Sequence, residues 1–220
     1  MILKHVMIKK DDTCLLCGKG PKHRLHIKPV KNKTKKILDL GCGSEKYKTQ
    51  AFFPDAKVIG IDFVKNKGVD YVFDFEKKRL PVKPNTFDMI ICWHIIEHLN
   101  DTVSIMNELH RVTKPGGIIF IRVPHFRSMG MWQDITHRKG FSYYTFDTLN
   151  SYTDKKFEIA ERRLLYFHLN SRRKRRYFIL AGIGKFIEYL ANLKPWFYED
   201  ILSHYLPGLA EIMIKIKVKK

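Results

Sequence analysis

The sequence predicts an α/β fold built on a doubly wound, mostly parallel sheet. Three observations carry this expectation. Five short apolar runs, each bounded by Gly, Pro, Asp or Asn, follow one another between Lys36 and His125 at the lengths of buried strands. An amphipathic helix separates the fourth run from the fifth, as a crossover between parallel strands requires. The last residues, Glu211 to Lys220, alternate apolar and basic side chains, the pattern of a closing strand laid antiparallel to its neighbour.

Residues 1–35 are Lys-rich, carry Pro21 and Pro29 and show no sustained period, so a basic N-terminal extension with little helix or strand is expected. The main domain, 36–220, opens with KILDLG and continues through KVIGIDF, YVFDF, FDMIICW and GIIFIRVPH as five strands. Between the fourth and fifth, Val103, Met106, Leu109 and Val112 recur at helical spacing. Asn100 or Asp101 is the expected cap, and Pro115-Gly116-Gly117 the stop. A helix at Thr145 to Ser151 and a strand from Phe157 to Phe167 come next. A basic and apolar helical insertion at about 168–208 precedes the last strand, with Ile179, Ile183, Phe186 and Leu190 marking one helix face.

With 220 residues and 45% hydrophobic composition, the chain can bury one full core. It has no internal period, no apolar run long enough to span a bilayer and no apolar signal core at its start, so a cytoplasmic protein without a transmembrane segment is expected. Four cysteines are too few for a disulfide framework, and Cys42 and Cys92 sit in apolar runs, which suits a reducing compartment.

The formal charge of +19 is unevenly spread. Residues 1–36 carry eleven basic and two acidic side chains and residues 155–186 carry ten and two, whereas 37–154 hold fifteen and fourteen. Basic flanks on a neutral middle point to an anionic membrane surface, nucleic acid or a phosphorylated substrate, and composition does not choose among these.

The chemistry concentrates at strand ends. Asp39, Gly41 and Gly43 stand where the first strand turns, so glycine lets the backbone approach a ligand there. Asp62 closes the second strand, where a carboxylate can accept both hydroxyls of a ribose. Asp74 closes the third in the same way. Together ILDLGCG, VIGID, FDMIICWHIIEHL and HRVTKPGGIIFIRVP resemble the class I S-adenosylmethionine-dependent methyltransferases over about residues 36–150. That resemblance implies a Rossmann-like seven-stranded sheet with an antiparallel last strand and S-adenosylmethionine lying across its carboxyl edge. It further implies that Asp39, Gly41, Cys42 and Gly43 line the methionine part and that Asp62 and Phe63 hold the ribose. Asp74 and Phe75 then flank the adenine, with Trp93 and His94 closing over the cofactor. The loop departs from the common family pattern, because Ser44 and Glu45 stand where a third glycine is usual.

The segment PHFRSMGMWQDITHRKGF follows the fifth strand and resembles the Pro-His and Asp-x-Thr-His-Arg stretch of a methyltransferase subgroup. His125 and His137 are therefore the candidate catalytic bases, with loop ordering as the alternative role. Arg138 is placed to meet an anionic acceptor group or Asp134. His94-x-x-Glu97-His98 matches an inverted zinc-protease pattern. It begins at the end of a buried strand with no separate third ligand evident, so His98 and Glu97 are read as bracing the next helix and no metal is assigned. Cys14, Cys17, His23 and His26 suit tetrahedral zinc in ligand type but not in finger spacing, so a basic tail with incidental cysteines is the preferred reading and zinc the alternative.

Two functions follow. The leading one is methyl transfer from S-adenosylmethionine to an unidentified acceptor, anionic, glycan-like or lipid-linked. The other is a nucleic-acid-binding module with an inactive or regulatory cofactor fold. Cys92-Trp93-His94-Ile95 stands where many nucleic-acid amino methyltransferases carry an Asn- or Asp-Pro-Pro-aromatic tetrapeptide, which weighs against base methylation.

Overall fold

The computed structural model describes residues 35–74, 76, 79–166, 178–205 and 209–220. The N-terminal extension with Cys14, Cys17, His23 and His26, as well as Phe75 and the basic run 172–176, lies outside the described residues.

Seven strands form one sheet: β1 (Lys36–Leu40), β2 (Lys57–Asp62), β3 (Tyr71–Val72), β4 (Phe87–Trp93), β5 (Thr113–Pro124), β6 (Lys156–Leu165) and β7 (Glu211–Lys219), in the order β3-β2-β1-β4-β5-β7-β6. β1 pairs in parallel with β2 and β4, β2 with β3 and β4 with β5, whereas β7 is antiparallel to both β5 and β6. The order reverses beside β1, so the carboxyl ends of β1, β2 and β4 open a crevice at the switch point. The continuous apolar runs are explained by burial on both faces, as in Ile37 and Leu38 of β1 or Ile90 and Ile91 of β4. Cys42 and Cys92 are free and buried, and burial pushes both thiols up, Cys42 to about 12.

Helix α1 (Lys46–Phe52) follows β1 and buries only Thr49, which explains why no apolar period announces it. Helix α2 (Thr102–Val112) is capped by Asp101, whose side chain accepts from the Ser104 N–H at 2.9 Å. It lays Ile105, Met106, Leu109 and Val112 on the larger core layer. The helix ends at Val112, and β5 starts at once at Thr113, four residues before the Gly117 expected to open the strand. The Pro115-Gly116-Gly117 segment is absorbed as an irregularity in the β4–β5 register, with Gly116 at a φ of 70°. Short helices α3 (Met129–Gln133) and α4 (Leu149–Tyr152) follow, α4 continuing a 3-10 turn at Thr145–Thr148.

Helix α5 (Phe178–Leu193) and α6 (Pro195–Asp200) fill the insertion before β7. The face marked in the sequence by Ile183, Phe186 and Leu190 points outward. The buried line is instead Gly184, Ile187 and Ala191. Small residues are needed on that line: a Cβ on Gly184 would stand 2.2 Å from the Tyr166 ring. Asn192 ties the helix to the sheet edge, its side chain accepting from the Leu164 N–H and donating to the Leu164 carbonyl at 2.9 and 2.8 Å. Edge strand β6 is thereby partly covered.

Candidate active site

The first part of the site is backbone. Gly41 and Gly43 both adopt left-handed φ, 70° and 50°, a region costly to other L-residues. Around Gly41 there is no room, since a Cβ would lie 2.7 Å from Ile95. Around Gly43 the same direction is open, with nothing within 4 Å. The Gly41 N–H donates to the Ile61 carbonyl at 2.8 Å and the Gly43 N–H to Asp62 Oδ2 at 2.7 Å, so the turn after β1 is stitched to the end of β2. Asp62 Oδ1 accepts from the Val64 N–H at 2.9 Å. The carboxylate is thus oriented by two backbone donors while remaining partly exposed beside the open space at Gly43. Phe63 next to it is exposed, and Asp74 accepts from the Glu76 N–H.

Asp39, beneath this turn, is 5% exposed. Burial lifts its carboxyl to about 6, against a hydrogen bond from Thr49 and the nearby Lys46 charge, which pull it down. Trp93 packs on the smaller core layer with Arg122 over its ring at 5.0 Å. His94 takes a left-handed φ of 49° and spans two carboxylates, Nδ1 at 3.0 Å from Glu97 Oε1 and Nε2 at 3.1 Å from Glu211 Oε1. Burial opposes its protonation, but the bonds to Glu211 and Glu97 outweigh that and raise it to about 9. Glu211 is correspondingly drawn to about 2: burial is overcome by His94 and by Arg122, with which it also pairs.

The second part is made of side chains brought together from distant segments. His98, His137, Asp134 and Gln133 border an open cavity of about 550 Å³ together with His94, Gly130 and Ile135. The His98 and His137 rings meet edge to face at 4.6 Å between centroids. Glu97 is fully buried beside them, with His137 Nε2 4.0 Å from its Oε1. Arg138 does not pair with Asp134; its Nε donates to the His98 carbonyl and its N–H to the Glu97 carbonyl, both at 2.9 Å.

His125 is placed elsewhere. It is fully buried, accepts from the Arg127 N–H at Nδ1 and therefore donates from Nε2 to Glu199 Oε1 at 3.0 Å. Glu199 also receives the Ser142 hydroxyl and the Tyr143 N–H, each at 2.6 Å. Burial would raise the Glu199 carboxyl, but these donors hold it below the usual range. The cluster pins α6 to the loop before the Thr145 turn. Sequence reading singled out neither Glu199 nor Glu211, because their partners lie 74 and 117 residues away.

A family model described as a methyltransferase domain matches residues 16–156. Among curated proteins, a demethylmenaquinone methyltransferase from Geobacillus stearothermophilus is 33% identical over 102 residues, covering 39% of this chain and 44% of that protein. A ubiquinone biosynthesis O-methyltransferase from Aliivibrio fischeri is 28% identical over 99 residues, covering 39% and 42%. The chain thus spans less than half the length of these relatives. Of solved structures, a SAM-dependent methyltransferase from Archaeoglobus fulgidus superposes with a TM-score of 0.52 at 19% identity, covering 84% of this chain and 86% of that one. An S-adenosylmethionine-dependent methyltransferase from Mesorhizobium loti gives 0.53 at 14%, covering 84% and 91%. At such identity the structural likeness concerns the fold.

Proposed function

Because the chain belongs to the class I S-adenosylmethionine-dependent methyltransferase family, we propose that it transfers a methyl group from S-adenosylmethionine to a hydroxyl-bearing, lipid-linked acceptor met at a membrane surface. The cofactor, when bound, supplies an electrophilic methyl group on a sulfonium. The observation that carries its placement is the pair of left-handed glycines with the Gly43 N–H on Asp62. A side chain at Gly43 would fill the space a ligand needs, and the Asp62 carboxylate beside it keeps lone pairs for two ribose hydroxyls. Asp39, Gly41, Cys42 and Gly43 would line the methionine part, Asp62 and Phe63 the ribose, Asp74 and Phe75 the adenine. His94 would stand between the cofactor and the cavity, with Trp93 behind it. Of the two candidate bases, His137 borders the cavity, whereas His125 is sealed in the α6 brace, so the acceptor-side group is His137.

The membrane half of the reading is supported by α5 and α6. Phe186, Tyr189, Leu193, Trp196 and Tyr205 are exposed in one stretch of the insertion, with Lys185 and Lys194 among them and the run Arg172–Arg176 preceding it in sequence. Aromatic and basic residues interleaved in this way suit the headgroup boundary of an anionic bilayer. Among the described residues no helix is long and apolar enough to cross a membrane, so contact would be peripheral. One curated relative is named for demethylmenaquinone and the other for ubiquinone biosynthesis, which agrees with an acceptor carried on a lipid. The test is a mass-gain screen of hydroxylated prenyl lipids in anionic vesicles, with S-adenosylmethionine and the full chain. Methyl gain that requires the vesicle supports the reading. Gain only on soluble acceptors removes the membrane half, and tight salt-sensitive binding of generic RNA without methyl gain replaces it with the nucleic-acid module.

A further inference from the structure

The geometry points to a divalent transition-metal site formed by Glu97, His98 and His137. The ligand atoms of these three side chains lie within 4.8 Å of one another, on elements separated by about forty residues of sequence. Zinc bound to His and Glu has bond lengths of about 2.0–2.2 Å. Closing on an ion therefore asks for side-chain shifts on the order of 1 Å.

The hydrogen bonds around the three residues leave a free lone pair on each of them. Thr136 donates its hydroxyl to Asp134 Oδ1 at 2.6 Å, so toward His98 Nδ1, 2.8 Å away, it can only accept. His98 Nδ1 must then carry the hydrogen, and Nε2 is left as the bare ligand atom. His137 Nδ1 lies 3.0 Å from the Met131 carbonyl, which only accepts, so its Nε2 is bare as well. Glu97 completes the set. Its Oε1 is taken by His94, while Oε2 is fully buried and has no hydrogen-bond partner among the described residues. A buried carboxylate oxygen without a donor is costly, and a cation beside two imidazole lone pairs satisfies it. Asp134 and Thr136 are then the outer supports that orient a metal-bound histidine.

Two imidazoles and one carboxylate select zinc-class ions over magnesium or calcium. Three protein ligands leave at least one position open, and His98 and His137 both border the 550 Å³ cavity. An acceptor hydroxyl bound at that position is acidified by the ion, and His137 then serves the acceptor as a metal ligand and not as the base. This role rests on the methyltransferase reading above, whereas metal binding itself does not.

The test uses the full chain with Cys14→Ser and Cys17→Ser, which removes any ion held by the N-terminal cysteines. Chelator-stripped protein is titrated with Zn2+ and with Co2+, read by calorimetry, cobalt absorption and metal content, with S-adenosylmethionine binding measured in parallel. One ion per chain is expected. His137→Ala and Glu97→Gln are expected to weaken it at least 100-fold, and exposed Thr136→Val by about 10- to 100-fold at unchanged thermal stability. The last variant keeps the test decisive should Glu97→Gln fail to fold. Folded protein that takes up no ion overturns the site, as does an ion whose affinity is unchanged in the His98→Ala, His137→Ala double variant. Loss of cofactor binding with the ion retained would instead count against the methyltransferase reading alone.

Discussion

On the β1–β2 side of the crevice the ligand-facing surface is backbone, held by two left-handed glycines and one carboxylate that the main chain itself orients. On the β4–β5 side it is side chain, a set of histidines and glutamates from the loops after β4 and β5, the segment after α3, α6 and β7. The first construction tolerates almost no change in shape at Gly41 and buries one carboxylate, Asp39. The second holds several buried ionisable groups and is stable only while each keeps its partners. Substitutions should therefore fail in different ways on the two sides.

The largest effect is expected at Gly41. Valine there meets both a left-handed φ and Ile95, which together cost roughly 2–6 kcal/mol, so urea unfolding should show a severe loss, whereas Gly43→Ala should be milder because its Cβ meets nothing. Next, His125→Ala strips one donor from buried Glu199 and should cost about 2–4 kcal/mol, lowering Tm by roughly 5–15 °C. If His125→Ala abolishes methyl transfer without lowering Tm, the brace assignment is wrong. Asp39 sharpens the contrast through pH. Its carboxyl is raised from 3.8 to about 6 by burial, so the folded state binds a proton more tightly than the unfolded chain. Its contribution is favourable below pH 4 and lost as pH climbs through 6. Asp39→Asn should stabilise the protein by about 1–3 kcal/mol at pH 7.5, with a much smaller gain at pH 4, measured by denaturant melts at both. The smallest change in stability belongs to Phe186→Ser with Tyr189→Ser, within about 0.5 kcal/mol because both are exposed, while sedimentation with anionic vesicles should fall several-fold.

The same contrast explains what the sequence made legible. Strand ends are local features. ILDLGCG and VIGID each place their aspartate and glycines within a few residues, and β1, β2 and β4 occur where the apolar runs stand. The acceptor side depends on tertiary contacts. HIIEH could be seen, but the histidine that joins it, His137, is brought there only by the turn after α3, and its role was legible only as one of two candidate bases. Glu199 and Glu211 carry no local signal at all. Which way the marked face of α5 points was not legible either. An apolar period marks a face but not what covers it, and here Tyr166 and the small residues Gly184 and Ala191 take the inner line.

The most direct test is a calorimetric titration of S-adenosylmethionine into wild type, Asp62→Ala and His137→Ala. The expected result is saturable one-site binding to wild type, a loss of at least about tenfold to 100-fold in Asp62→Ala, where a charged hydrogen-bond partner is removed, and near-wild-type affinity in His137→Ala. Absence of saturable binding to folded wild type, or undiminished binding in Asp62→Ala, would contradict the placement of the cofactor on the backbone side of the crevice.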